Sequence, residues 1–228
     1  MPIVVLILLA LLGGCAERPR ALPADRSVAL VYVALGDSTV EGIGASSAEA
    51  NYVSILAARL KSVYPNARAV NLGVGGARSG DVVAAQLPQA VELRPDLVTL
   101  SVGPNDITRR VSVETYEANL DTIFKTLTRQ TYAAVVANLL PDLALTPRFA
   151  RGELRDIVGR HTIAFNEALA RAGARHGIEL VDLYVASRDE VPRRPELIGA
   201  DGYHPSDAGY ARWAELLWTG VERRLAVR

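Results

Sequence analysis

Five apolar runs punctuate the chain, at 28–35, 68–72, 96–102, 132–138 and 178–183. Each is almost continuously hydrophobic, the pattern of parallel strands covered on both faces rather than half-exposed ones. Between them, apolar residues recur every three or four positions. Segment 48–63 sets Tyr52, Ile55, Leu56 and Leu60 on one helical face and stops before Pro65. Segment 81–93 is a second helix, with Pro88 a point of kinking or shortening. Segment 112–128 carries Tyr116, Leu120, Ile123 and Leu127 at helical spacing, and 156–176 ends before Gly177, a natural C-cap. Ser206 is placed to cap a last helix from Asp207 to about Arg224. The alternation predicts an α/β fold: a three-layer α/β/α sandwich around a doubly wound, mainly parallel five-stranded sheet. No internal repeat and no second domain interrupts it.

In such sheets chemistry collects outside the carboxyl ends of the strands. The segments falling there are Gly36-Asp37-Ser38, then Asn71-Leu72-Gly73-Val74-Gly75-Gly76, then Gly103-Pro104-Asn105-Asp106, and finally Asp201-Gly202-Tyr203-His204 before the last helix. Taken singly, each has a plain structural reading. Ser38 is a turn or helix-capping residue, the glycines make a tight turn, and Asn105 and Asp106 cap a helix. The motif G-x-S-x-G of the nucleophile elbow is not met, because Val40 stands where the second glycine belongs. Gly73 and Gly75 do not open a dinucleotide fingerprint either, since Arg78 holds the third glycine's place. Together, however, a hydroxyl, glycine amides, a carboxamide and an Asp/His pair converge on one edge.

In that order these blocks resemble the SGNH (GDSL-type) hydrolases, and the resemblance runs from Val28 to the final helix. Thr39 stands in the fourth position of the first block, where the family name has leucine. The resemblance implies a serine esterase of flavodoxin-like topology without metal or organic cofactor. It makes Ser38 the nucleophile, with Asp201 and His204 completing the triad. The oxyanion hole is then formed by the Ser38 and Gly76 amides and the Asn105 side chain. A serine hydroxyl needs a base as it attacks, and an imidazole titrating near neutrality suits that role. Asp37 and Asp106 are expected to brace their loops. Tyr203, Trp213 and Trp218 are expected either to line a substrate pocket or to bury the last helix. His161 and His176 are expected on helix surfaces. Expected substrates are lysophospholipids, short-chain acyl esters or thioesters, and acetylated carbohydrate, with the loop 186–200 expected to shape the choice among them. An acyltransferase acting on envelope polysaccharide is the alternative, and an anchored non-catalytic binding protein a third reading.

The N-terminus adds a separate expectation. Its apolar stretch, 3–12, is too short to span a bilayer, which takes about 20 residues, and has the length of a signal-peptide core. Leu12-Gly13-Gly14-Cys15 directly after it resembles the bacterial lipobox, although no Lys or Arg precedes the apolar stretch. This implies a lipoprotein signal peptide over 1–14, lipidation at Cys15, a polar tether over 15–27 and a hydrolase domain over 28–228. The protein is then exported and held at a membrane surface by lipid, and is expected to be monomeric. With Cys15 the only cysteine among 228 residues, an internal disulfide and a cysteine-based zinc site are both excluded. The three histidines are too scattered for a local metal motif. Acidic and basic side chains balance at 25 each, which leaves no electrostatic drive toward nucleic acid.

Overall fold

The computed structural model describes residues 20–225. The signal peptide and Cys15 predicted from the sequence lie outside them. Five strands form one all-parallel sheet: β1 (Val31–Gly36), β2 (Arg68–Asn71), β3 (Leu97–Ser101), β4 (Ala134–Asn138) and β5 (Glu179–Val181). Their spatial order is β2-β1-β3-β4-β5, so the winding direction reverses between β1 and β3. That reversal opens a crevice at the carboxyl edge, where doubly wound sheets bind ligands.

Among the described residues nine helices flank the sheet: α1 (Ser38–Glu41), α2 (Tyr52–Val63), α3 (Ser79–Asp81), α4 (Leu87–Glu92), α5 (Pro104–Thr108), α6 (Val113–Gln130), α7 (Gly152–His176), α8 (Leu183–Glu190) and α9 (Asp207–Glu222). The strands alternate their side chains between two cores because residues i and i+2 share a face. Val33, Leu35, Val98 and Leu100 pack against α6 and α7, while Tyr32, Ala34 and Leu97 pack against α2 and α9. On α6 the predicted stripe Tyr116, Leu120, Ile123 and Leu127 is buried throughout.

The predicted caps are present. Gly177 ends α7 in the left-handed region at φ 63°, and the Ser206 hydroxyl accepts the Gly209 N–H at the start of α9. The helix expected over 81–93 is a composite, with five residues of π-helix (Val82–Gln86) between α3 and α4. Pro88 stands at the junction where the π-helical segment gives way to α4.

Two expectations need correction. The segment 186–200, read as a loop, opens inside α8; Asp182 caps that helix by accepting the Val185 N–H at 2.9 Å. The tether expected over 15–27 is not free over its described part. Leu22 is buried and pairs with Leu225, its N–H reaching the Arg224 carbonyl at 2.6 Å, and the Tyr64 hydroxyl donates to the Pro23 carbonyl. One leucine in a polar run is enough to dock it.

Candidate active site

Ser38 enters the site because β1 ends in Gly36, which sits at φ 145°. A Cβ at Gly36 would fall 1.9 Å from the Ser101 carbonyl oxygen, so only glycine lets β1 pass β3 this closely. The Gln86 carboxamide, projecting from the π-helical segment, pairs with both the N–H and the carbonyl of Gly36 at 2.8 Å. Ser38 is the first residue of α1, with Asp37 as its N-cap. Its own N–H therefore lacks an intrahelical acceptor.

The last strand-end loop delivers the imidazole. Ser46 N–H and hydroxyl both donate to the Asp207 carboxylate, and the Tyr210 hydroxyl donates to the Ile43 carbonyl at 2.6 Å. These bonds clasp the start of α9 onto the loop after α1. His204 is then within reach, its Nε2 lying 2.9 Å from the Ser38 Oγ. On the other side His204 Nδ1 lies 2.5 Å from Asp201 Oδ2. The second oxygen, Asp201 Oδ1, accepts the backbone N–H groups of Tyr203 and His204 at 2.9 and 3.0 Å. Partial burial pushes the Asp201 carboxyl upward, but these hydrogen bonds outweigh it and hold the group below the usual carboxylate range.

The remaining predicted residues meet across the crevice. Gly76 takes φ 79°, which puts its N–H in a turn an ordinary side chain resists. Asn105 Nδ2 donates to the Ala77 carbonyl at 3.1 Å, which sets its carboxamide beside the Gly76 turn. Neither the Ser38 nor the Gly76 N–H is taken by an acceptor among the described residues. The loop after β2 is pinned to α1 by the Gly75 N–H donating to Glu41.

Asp106 braces this side, as expected, through a partner that spacing does not reveal. Its buried carboxylate accepts the Ser79 N–H on both oxygens and the Ser79 hydroxyl at 2.6 Å, clamping α5 to α3. Gln86, Ser79 and the Ser46–Asp207 clasp were not legible as site residues, since each acts on a partner at least 27 residues away. Of the aromatic candidates, Tyr203 and Trp213 line a cavity beside Ser38, while Trp218 is buried under an Arg59 guanidinium. His161 is exposed on α7, and His176 is half-buried against Asp121 at 2.9 Å.

Asp37 is the unusual group. It is fully buried, accepts the Thr39 N–H and hydroxyl through Oδ1, and leaves Oδ2 unpartnered. Burial outweighs these bonds and pushes its carboxyl up to about 6. A carboxyl raised in the folded state relative to the unfolded chain (about 3.9) favours folding below pH 4 and loses that contribution as pH rises through 6. Asp37→Asn keeps the acceptor for Thr39 without the titration. The stability of the native protein relative to Asp37→Asn is therefore expected to fall by roughly 2 kcal/mol between pH 4 and pH 7. Urea unfolding of both proteins across that range measures it; a flat difference would mean that burial does not tax this carboxylate.

Comparison with known proteins follows the same outline. Residues 34–212 match the family model of the GDSL-like lipase/acylhydrolases. The esterase TesA of Pseudomonas aeruginosa is 24% identical over 208 residues, covering 91% of this chain and 94% of its own. An acetylxylan esterase of Geobacillus stearothermophilus is 26% identical over 189 residues, covering 77% and 83% respectively. Among solved structures, that of TesA superposes with a TM-score of 0.69 at 24% identity, covering 86% of this chain and 99% of that one. An alpha/beta hydrolase enzyme from the metagenome of Lake Arreo, Spain, gives 0.70 at 23% identity, covering 88% and 98%. The structural likenesses establish the three-layer fold.

Proposed function

This chain belongs to the GDSL-like lipase/acylhydrolase family and is a serine hydrolase acting on esters; on that premise we propose that Ser38, His204 and Asp201 are its catalytic triad. The observation that carries this reading is the unbroken relay from the Asp201 carboxylate through His204 to the Ser38 hydroxyl, at 2.5 and 2.9 Å. Ser38 Oγ attacks the ester carbonyl carbon while its proton passes to His204 Nε2. Asp201 holds the Nδ1–H tautomer and stabilises the imidazolium that forms. The carbonyl oxygen becomes an oxyanion, met by the N–H groups of Ser38 and Gly76 and by Asn105 Nδ2. Such donors are effective because they are oriented before charge develops. Collapse expels the alcohol or thiol, which takes the proton from His204. Water then attacks the acyl-enzyme, gives its proton to His204, and releases the carboxylic acid and a free Ser38. Chromogenic ester hydrolysis by native protein and Ser38→Ala tests the assignment; equal background rates for both would overturn it.

The substrate class in this reading is a carboxylic ester or thioester, with lysophospholipids, short-chain acyl esters and acetylated carbohydrate as its range. The relatives' names span esterase, lipase and acetylxylan esterase. The protein is further read as an exported lipoprotein, supported by the apolar stretch and Leu-Gly-Gly-Cys ending at Cys15. Feeding cells a clickable fatty acid is expected to label the native protein and not Cys15→Ala. Label retained in the variant would refute lipidation at that thiol.

A further inference from the structure

Beside Ser38 and His204 lies an open cavity. Two helices supply much of its wall, each with a single stripe. On α8 the stripe is Leu183, Ala186, Ser187 and Glu190; on α9 it is Gly209, Arg212, Trp213 and Leu216. Both follow the spacing i, i+3, i+4, i+7 of a single helical face, with Leu183, Ala186, Trp213 and Leu216 as its apolar members and Ser187, Glu190 and Arg212 as its polar ones. Here both faces border the cavity, although Gly209 also packs against Leu197 and Trp213 stacks on Tyr52. The rest of the wall, from the loop after β4 and the approach to His204, is largely aliphatic, as at Leu143, Leu145 and Ile198.

The polar groups in this wall are mostly engaged with one another. Glu190 receives the Arg212 guanidinium through Nε on both oxygens at 3.0 Å, and through Nη2 at 2.8 Å. The Ser187 hydroxyl donates to the Tyr184 carbonyl and accepts the Asp142 N–H, each at 2.8 Å. Among the described residues of the lining, Asp37 Oδ2 and the Trp213 indole N–H are buried without a partner, and the Tyr203 hydroxyl makes no hydrogen bond. A sugar ring needs several free donors and acceptors, because buried hydroxyls without partners are costly. A hydrocarbon chain needs none.

Resting on the Ser38 assignment above, we propose that this cavity holds the acyl chain of the substrate, and that the enzyme acts on medium-chain acyl esters in preference to acetyl esters. The two-step chemistry selects the acyl arm over the alcohol arm. The acyl group stays bonded to Ser38 through both steps, whereas the alcohol must leave and give its place beside His204 to water. The arm lodged in a cavity is the one that remains.

Phenyl esters of increasing acyl length, and acetates of increasing alkyl alcohol, provide the test. The kcat/KM of the native protein is expected to rise about fourfold for each acyl methylene buried, from acetyl toward octanoyl. Ala186→Trp, with its fold checked by circular dichroism, is expected to lower the octanoyl-to-acetyl ratio at least tenfold. In parallel, calorimetric titration of decanoate into Ser38→Ala reads the cavity without any catalysis, and Ser38→Ala/Ala186→Trp is expected to lose that binding. An acetyl esterase activity that Ser38→Ala abolishes, with a flat or falling acyl profile, would overturn the acyl cavity and leave the serine esterase standing. A profile following the alcohol arm instead would likewise overturn it. Decanoate binding without any ester hydrolysis would retain the cavity and sink the Ser38 assignment.

Discussion

Ser38→Ala is expected to lower kcat on any ester substrate by about 10⁵–10⁶, the scale on which removal of a serine nucleophile acts. The protein should still fold, because among the described residues the Ser38 side chain bonds His204 Nε2 and no other group. The backbone that shapes the site is held elsewhere, by Gln86 on Gly36 and by the Asp37 cap on Thr39. Ser38→Ala/His204→Ala should be no slower than Ser38→Ala, since the two groups act as one unit. Active-site titration with an organophosphonate, which needs the same nucleophile, should label the native protein alone. A double variant much slower than Ser38→Ala would mean that His204 assists the reaction by some path not involving Ser38.

Asp201→Asn is expected to cost about 10³–10⁴ in kcat by a different route. Asp201 Oδ1 is fixed by two backbone N–H donors, from Tyr203 and His204. An asparagine must keep its carbonyl oxygen there, so its NH₂ group is turned onto His204 Nδ1. The imidazole then accepts at Nδ1 and carries its proton on Nε2, facing Ser38. In that tautomer it cannot take the serine proton. Asp201→Ala removes the carboxylate without imposing a tautomer, and should be less damaging than Asp201→Asn. Comparing kcat for the two variants separates tautomer control from charge loss, and the reverse ranking would discard this account.

How much of this was legible in the sequence follows from the range of the forces involved. Strand positions and the α6 stripe come from local periodicity, and the local pattern survives into the fold. The strand-end blocks are contiguous, so their place at the carboxyl edge could be read directly. The α8 helix was missed because Pro192 and Pro195 and the surrounding charges dominate 186–200, although Asp182 ahead of three apolar residues was an available start signal. The Asp106–Ser79 clamp joins residues 27 apart, and no spacing rule selects that serine over its neighbours. The cavity could not be anticipated either. Its walls come from α8, α9 and the loop after β4, and their composition alone does not say whether the facing stripes close together or stand apart.

The docking of Leu22 sets a direction for the whole molecule. Helix α9 begins beside His204 and ends where Leu22 meets Arg224, so the described chain enters one helix length, about 24 Å, from the candidate site. From Cys15 to Arg20 there is at most about 18 Å of backbone. A lipid at Cys15 would therefore hold the edge of the domain at Leu22 and Arg224 within reach of the bilayer.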